Sequence, residues 1–145
     1  MNPEAEIETL ISKLYSAICF LPGGKPDFDL LRTLFIPGAK MISNNADQPV
    51  IMEVEGYVER MTNGINSGRL VSFQESEVAS TTEVFGKIAH RFSTYTSRFL
   101  PEDEKPFDVG INSIQMMEVD GKWLISSLLW NNVNDARPLP DKYLP

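Results

Sequence analysis

Histidine and cysteine are almost missing from this chain: His90 and Cys19 are the only ones in 145 residues. A lone cysteine cannot close an internal disulfide, and no Cys/His group has the ligand spacing of a zinc site. Neither a covalent staple nor a metal is expected to hold the fold, and no cofactor is implied. Clusters of positive charge are missing too. Lysine and arginine number 13 against 20 aspartates and glutamates, a net charge of −7, and that balance argues against nucleic acid as a partner. No apolar run approaches the roughly 18 residues of a membrane span. The acidic start MNPEAEIE lacks the basic region of a secretory leader. No membrane partner is expected, and the protein reads as cytoplasmic. Internal repeats and low-complexity segments are absent as well.

What is present is the composition of an ordinary globular domain, 42% hydrophobic and 23% charged, in a chain long enough to bury one core. One domain is expected over residues 1–135. An extended tail follows over 136–145, where three prolines fall. The organising stretch is Phe107 to Asn132, two long apolar runs separated by Asp120-Gly121. An Asp-Gly pair between such runs marks a tight hairpin, because glycine takes the positive φ that the turn needs. Simple alternation puts Trp123, Ile125 and Leu129 on one face of the second strand and Leu124, Leu128 and Trp130 on the other. Neither face is made for water. Helices can cover only one of them, so a homodimer through the other sheet face is expected, contacting over 110–117 and 124–130.

From the start, Asn2-Pro3 reads as a helix cap followed by proline in the first turn. Ile7, Leu10, Ile11, Leu14, Tyr15 and Ile18 form a buried stripe running to about Leu21. Asp27 caps a short second helix, and Pro37-Gly38 stops it. Ala39 to Ser43 and Val50 to Glu53 make a small hairpin. Val54, Tyr57, Val58, Met61 and Ile65 mark a third helix ended by Gly68. Beyond Arg69 the helical period disappears and long runs rich in Val, Thr, Ser, Phe and Tyr take over, read as sequential antiparallel strands. Helices followed by a meander of strands imply an α+β domain in which a curved antiparallel sheet wraps the N-terminal helices.

This order, with Asp27-Phe28-Asp29-Leu30-Leu31, Leu34-Phe35, Pro37-Gly38-Ala39, Ala89-His90-Arg91-Phe92-Ser93 and Asp120-Gly121-Lys122-Trp123-Leu124-Ile125, resembles the nuclear transport factor 2-like superfamily. That is the cone-shaped α+β fold shared with SnoaL-like polyketide cyclases, ketosteroid isomerase and scytalone dehydratase. The resemblance implies a cone with a pocket. It does not choose among isomerase, dehydratase, cyclase, hydrolase and plain binding. The aspartate base of ketosteroid isomerases has no counterpart in the strands over 84–96 and 109–117. Of the scytalone dehydratase set only histidine and tyrosines are matched.

Candidate site residues follow from facing and chemistry. On the strand around His90, one alternating set holds Lys87, Arg91, Ser93 and Tyr95, and the other holds Ile88, His90, Phe92 and Thr94. The second set is expected to line the concave side, with His90 as a general base or acid. Tyr15 and Tyr57, on buried helix stripes, bring hydroxyls into the cone, while Asn112 and Trp130 supply a polar anchor and a wall. Glu75, Glu77 and Glu83 share one parity and read as a solvated face. With no Arg or Lys inside, the expected ligand is small, largely apolar and neutral or singly charged. The leading reading is a protein binding such a ligand. The alternatives are an isomerase, dehydratase or cyclase using His90, and an interaction module whose cone is filled.

Overall fold

The first helix forms where a cap and an apolar stripe coincide. In the computed structural model, which describes residues 2–145, α1 (Pro3–Ile18) opens with the Asn2 side chain accepting a hydrogen bond from the Glu4 N–H at 2.9 Å. Such a cap contributes about 1 kcal/mol. Ile7, Leu10, Ile11, Leu14, Tyr15 and Ile18 are all buried. The helix ends at Ile18, earlier than expected, because Cys19 turns extended and Phe20 pairs with Phe73. A second helix, α2 (Phe28–Thr33), is capped by Asp27, whose carboxylate accepts from the Leu30 N–H at 3.0 Å. Then come β1 (Phe35–Ser43), β2 (Val50–Glu53), α3 (Val54–Asn66) and the long strands β3 (Gln74–Phe85), β4 (Ile88–Arg98), β5 (Asp108–Val119) and β6 (Lys122–Asn132).

The six strands form one curved, unclosed sheet in the order β2-β1-β6-β5-β4-β3. All neighbours are antiparallel except β1 and β6, which run parallel. The β5–β6 turn is the one read from Asp120-Gly121, with φ of 51° and 77°. Helices α1 and α3 pack against the concave side, α1 against β3 and β6 and α3 against β1 and β2. Together with the inner residues of the sheet they close one hydrophobic core.

Two register shifts decide what faces inward. One lies between Glu77 and Ala79 of β3, the other opposite Gln115 and Met116 of β5, where Ser126 is the extra residue of β6. An inserted residue reverses side-chain alternation beyond it. On β6 the inner set is therefore Trp123, Ile125 and Leu128, buried, continuing to Trp130, while Leu129 is turned outward. This corrects the grouping expected from simple alternation.

The outer face of the sheet is partly covered by the C-terminal segment. Tyr143 packs its ring 5.4 Å from that of Phe92, and its carbonyl accepts from Thr94 Oγ1 at 2.8 Å. A short 3-10 turn, Asp141–Tyr143, places it there.

Candidate functional site

Between the helices and the sheet lies a cavity of about 230 Å³, lined by Leu14 and Ile18 of α1, Tyr57 and Met61 of α3, and Met41, Leu70, Phe73, Glu75, Asn112, Leu128 and Trp130. The lining is apolar and aromatic apart from Glu75, Asn112 and the Tyr57 hydroxyl, the make-up of a small-molecule site. Glu75 is the group the alternation argument turned outward. In the structure its Oε2 accepts from Asn112 Nδ2 at 3.2 Å and its Oε1 from Ser97 Oγ at 3.2 Å. Burial pushes the Glu75 carboxyl up to about 7; the bonds from Asn112 and Ser97 offset only part of that, and the nearby charge of Asp108 adds to the rise.

Glu77, two residues along the same strand, has a different environment. Arg91 is 2% exposed and holds Glu77 through Nε at 3.0 Å and through a second bond from Nη2. It also reaches Glu8 of α1 at 2.7 Å and Thr82 at 3.1 Å. Burial disfavours the Arg91 charge, but bonds to Glu77 and Glu8 more than offset this and the net shift is upward. The Glu8 carboxyl is held low, first by its bond to Arg91. The expectation that no Arg lies inside is thus corrected. Arg91 is inside, and its charge is used by two carboxylates.

A chain of hydrogen bonds joins the two glutamates. Ser93 Oγ donates to Glu77 Oε2 at 2.5 Å, so the Tyr15 hydroxyl, 2.5 Å from Ser93, is the donor to Ser93. Tyr15 in turn accepts from Asn112 Nδ2 at 3.0 Å. Asn112 therefore gives one amide hydrogen to Tyr15 and the other to Glu75.

Of the residues singled out from the sequence, Tyr57, Asn112 and Trp130 come together on the cavity wall. Tyr15 stands behind that wall with its hydroxyl proton committed to Ser93. Both tyrosines are raised in pKa, chiefly by burial. His90 is not with them. It lies on the outer face with its side chain 60% exposed, 2.8 Å from Glu83 Oε1, and the concave set of β4 is Ala89, Arg91, Ser93, Tyr95 and Ser97, all buried. The apolar character of Ile88 and Phe92 misled the assignment, because the outer face carries apolar residues too. The same correction applies to the acids: Glu83 is on the solvated side, but Glu75 and Glu77 are not. Arginine and two serines or threonines opposite two glutamates on neighbouring strands were the signal that could have placed them.

Cys19 is half-buried, its Sγ 3.1 Å from the Tyr15 carbonyl and 3.4 Å from the Glu75 N–H. Burial raises its pKa. Among the described residues no group of histidine, cysteine, aspartate and glutamate side chains has the arrangement of a metal site, and no helix is long and apolar enough to cross a membrane.

No protein-family model and no curated protein matches the sequence. Solved structures do match in fold. A protein of unknown function with a cystatin-like fold from Nostoc punctiforme superposes with a TM-score of 0.69 at 12% identity, over 91% of this chain and 92% of that one. A nuclear transport factor 2-like protein of unknown function from Silicibacter pomeroyi gives 0.63 at 12% identity, over 92% of this chain and 100% of the other. A putative Ca/calmodulin-dependent kinase II association domain from Exiguobacterium sibiricum gives 0.65 at 12% identity, over 92% and 98%. At these identities the likeness speaks for the fold alone, and on it the chain takes the nuclear transport factor 2-like, or cystatin-like, α+β cone fold.

Proposed function

We propose that this protein binds a small, largely apolar organic molecule inside the cone, with Glu75 and Asn112 as its polar anchors. The observation that carries this reading is the cavity itself: about 230 Å³ of space walled by aliphatic and aromatic side chains with a single carboxyl group among them. Residues that served only packing would close such a space, since empty volume costs stability. The test is a calorimetric titration with toluene, a neutral single-ring probe of a size that fits. Wild type is expected to bind. Met61→Trp, which fills the cavity from α3, is expected to lose binding while keeping its circular dichroism. If neither protein binds toluene, the cavity reading fails and an interaction module takes its place.

A second reading is favoured by the position of Glu75. A carboxyl poised near pH 7, in a cavity that also carries the Tyr57 hydroxyl, suits proton abstraction from a carbon next to a carbonyl. Glu75 would take the proton and Tyr57 would hydrogen-bond the oxygen. Glu75 replaces His90 in this role, since His90 is outside the cone. Deuterium exchange into the bound compound, lost on the order of 10²–10⁴-fold in Glu75→Gln, is the expected signature.

The homodimer remains a proposal resting on the outer-face residues Ile88, Phe92 and Leu129, which are 62%, 39% and 39% exposed. Sedimentation showing only the single-chain mass at micromolar concentration removes it.

A further inference from the structure

We infer that the cavity takes a small apolar amine, held as its ammonium ion by the Glu75 carboxylate and the surrounding rings; this rests on the reading that the cavity binds a small molecule. Glu77 receives the Arg91 guanidinium, whereas no lysine, arginine or histidine lines the cavity at Glu75 among the described residues. The groups acting on Glu75 from each neighbouring element are neutral or acidic. They are Tyr15 and Cys19 from α1 and its end, Tyr57 from α3, Ser97 and Tyr95 from β4, and Asn112 and Asp108 from β5.

Hydrogen bonds reach both oxygens of Glu75: the Asn112 amide donates to Oε2, and the Ser97 hydroxyl is placed to donate to Oε1. Donors aimed at both oxygens favour the ionised form, while burial without a cation opposes it. A ligand bringing one positive charge removes that conflict, as Arg91 does for Glu77.

The rest of the cavity fits the same ligand. Trp130, Tyr57 and Phe73 line the cavity, and aromatic rings attract a cation set over their faces beyond their apolar contact. The aliphatic remainder suits a hydrocarbon body. The volume of about 230 Å³ is the liquid volume of about eight waters, room for a phenylalkyl group and not for a polycyclic one. An anionic ligand would set a second negative charge beside Glu75, and a neutral carbonyl compound, even one bonded by the Tyr57 hydroxyl, would leave the Glu75 charge without a counterion.

Calorimetric titration of the full chain at pH 8 with 2-phenylethylamine, 2-phenylethanol and 3-phenylpropionate tests this. The amine is expected to bind at least tenfold more tightly than the alcohol, and the carboxylate not at all. Glu75→Gln is expected to hold the amine no more tightly than it holds the alcohol. Amine affinity should also rise between pH 5 and pH 7 and level above it, a wild-type measurement that stands even if the variant misfolds. Alcohol binding equal to or tighter than the amine, or tight binding of the carboxylate, overturns the amine while leaving the cavity reading in place. Binding of none of the three overturns both.

Discussion

Glu75 and Glu77 lie two residues apart on β3, and both point into the cone. Glu77 meets a buried guanidinium shared with Glu8, whereas Glu75 meets an amide, a hydroxyl and a cavity. The same side chain in nearly the same position thus becomes a structural ion pair in one case and a group titrating near neutrality in the other. Burial is common to both, so the cation decides. A strand face can therefore carry a locked site and a responsive site within two residues, separated by which partner the neighbouring strand supplies.

The largest effect is expected at the Arg91 ion pair. Arg91→Met leaves Glu77 and Glu8 without their shared cation, and the loss is expected to be about 3–5 kcal/mol in urea denaturation, the cost of a buried charge deprived of its partner. A loss under 1 kcal/mol would show that the locked half is not held by charge.

The responsive side predicts the opposite sign. The Glu75 carboxyl is raised from 4.5 in the unfolded chain to about 7 when folded, so between those values the folded state holds more protons. The Glu75 contribution is full below pH 4.5 and falls as pH rises through that window. Glu75→Gln should remove the decline and be more stable than wild type at pH 8 by up to about 3 kcal/mol. Thermal unfolding between pH 4.5 and 8 measures it, and an unchanged slope would contradict the raised carboxyl.

Asn112→Leu removes the donor that Glu75 and Tyr15 share. It is expected to cost about 1–3 kcal/mol and to move the Glu75 midpoint higher, read by carbon NMR of the carboxyl. Smallest of all is the outer face: His90→Gln breaks only the exposed pair with Glu83, worth about 0–1 kcal/mol, and ligand affinity should stay as in wild type.

The fold was legible because its signals are local. Asn2-Pro3 caps, Asp120-Gly121 turns, and the spacing of Ile7 through Ile18 each act within a few residues, and their order specified the cone. Tyr57, Asn112 and Trp130 were also within reach, as residues on buried stripes or mid-strand. His90 and Glu75 were not, for different reasons: β4 alternates regularly, and its faces were exchanged because Ile88 and Phe92 gave the outer one an apolar look, whereas Glu75 was misread through pairing irregularities. Facing along β3 and β6 depends on two inserted residues whose presence is a property of strand pairing, so alternation carried across them reads the wrong side. Glu75 further needs Ser97 and Asn112 from two other strands to become what it is, and no window of sequence contains all three.

The amide at the centre of the buried chain has a kinetic consequence. Hydroxyls can hand a proton along, as Tyr15 and Ser93 are lined up to do toward Glu77, but the Asn112 side chain between Tyr15 and Glu75 is an insulator: it donates without passing a proton on. Glu75 therefore trades protons with the outside by way of the cavity or through the buried Ser97 hydroxyl on its other oxygen. Whatever fills that space also acts as a stopper on the first route, so an occupied cone should keep its carboxyl in one charge state for longer than an empty one, as a slowed exchange rate at that single glutamate.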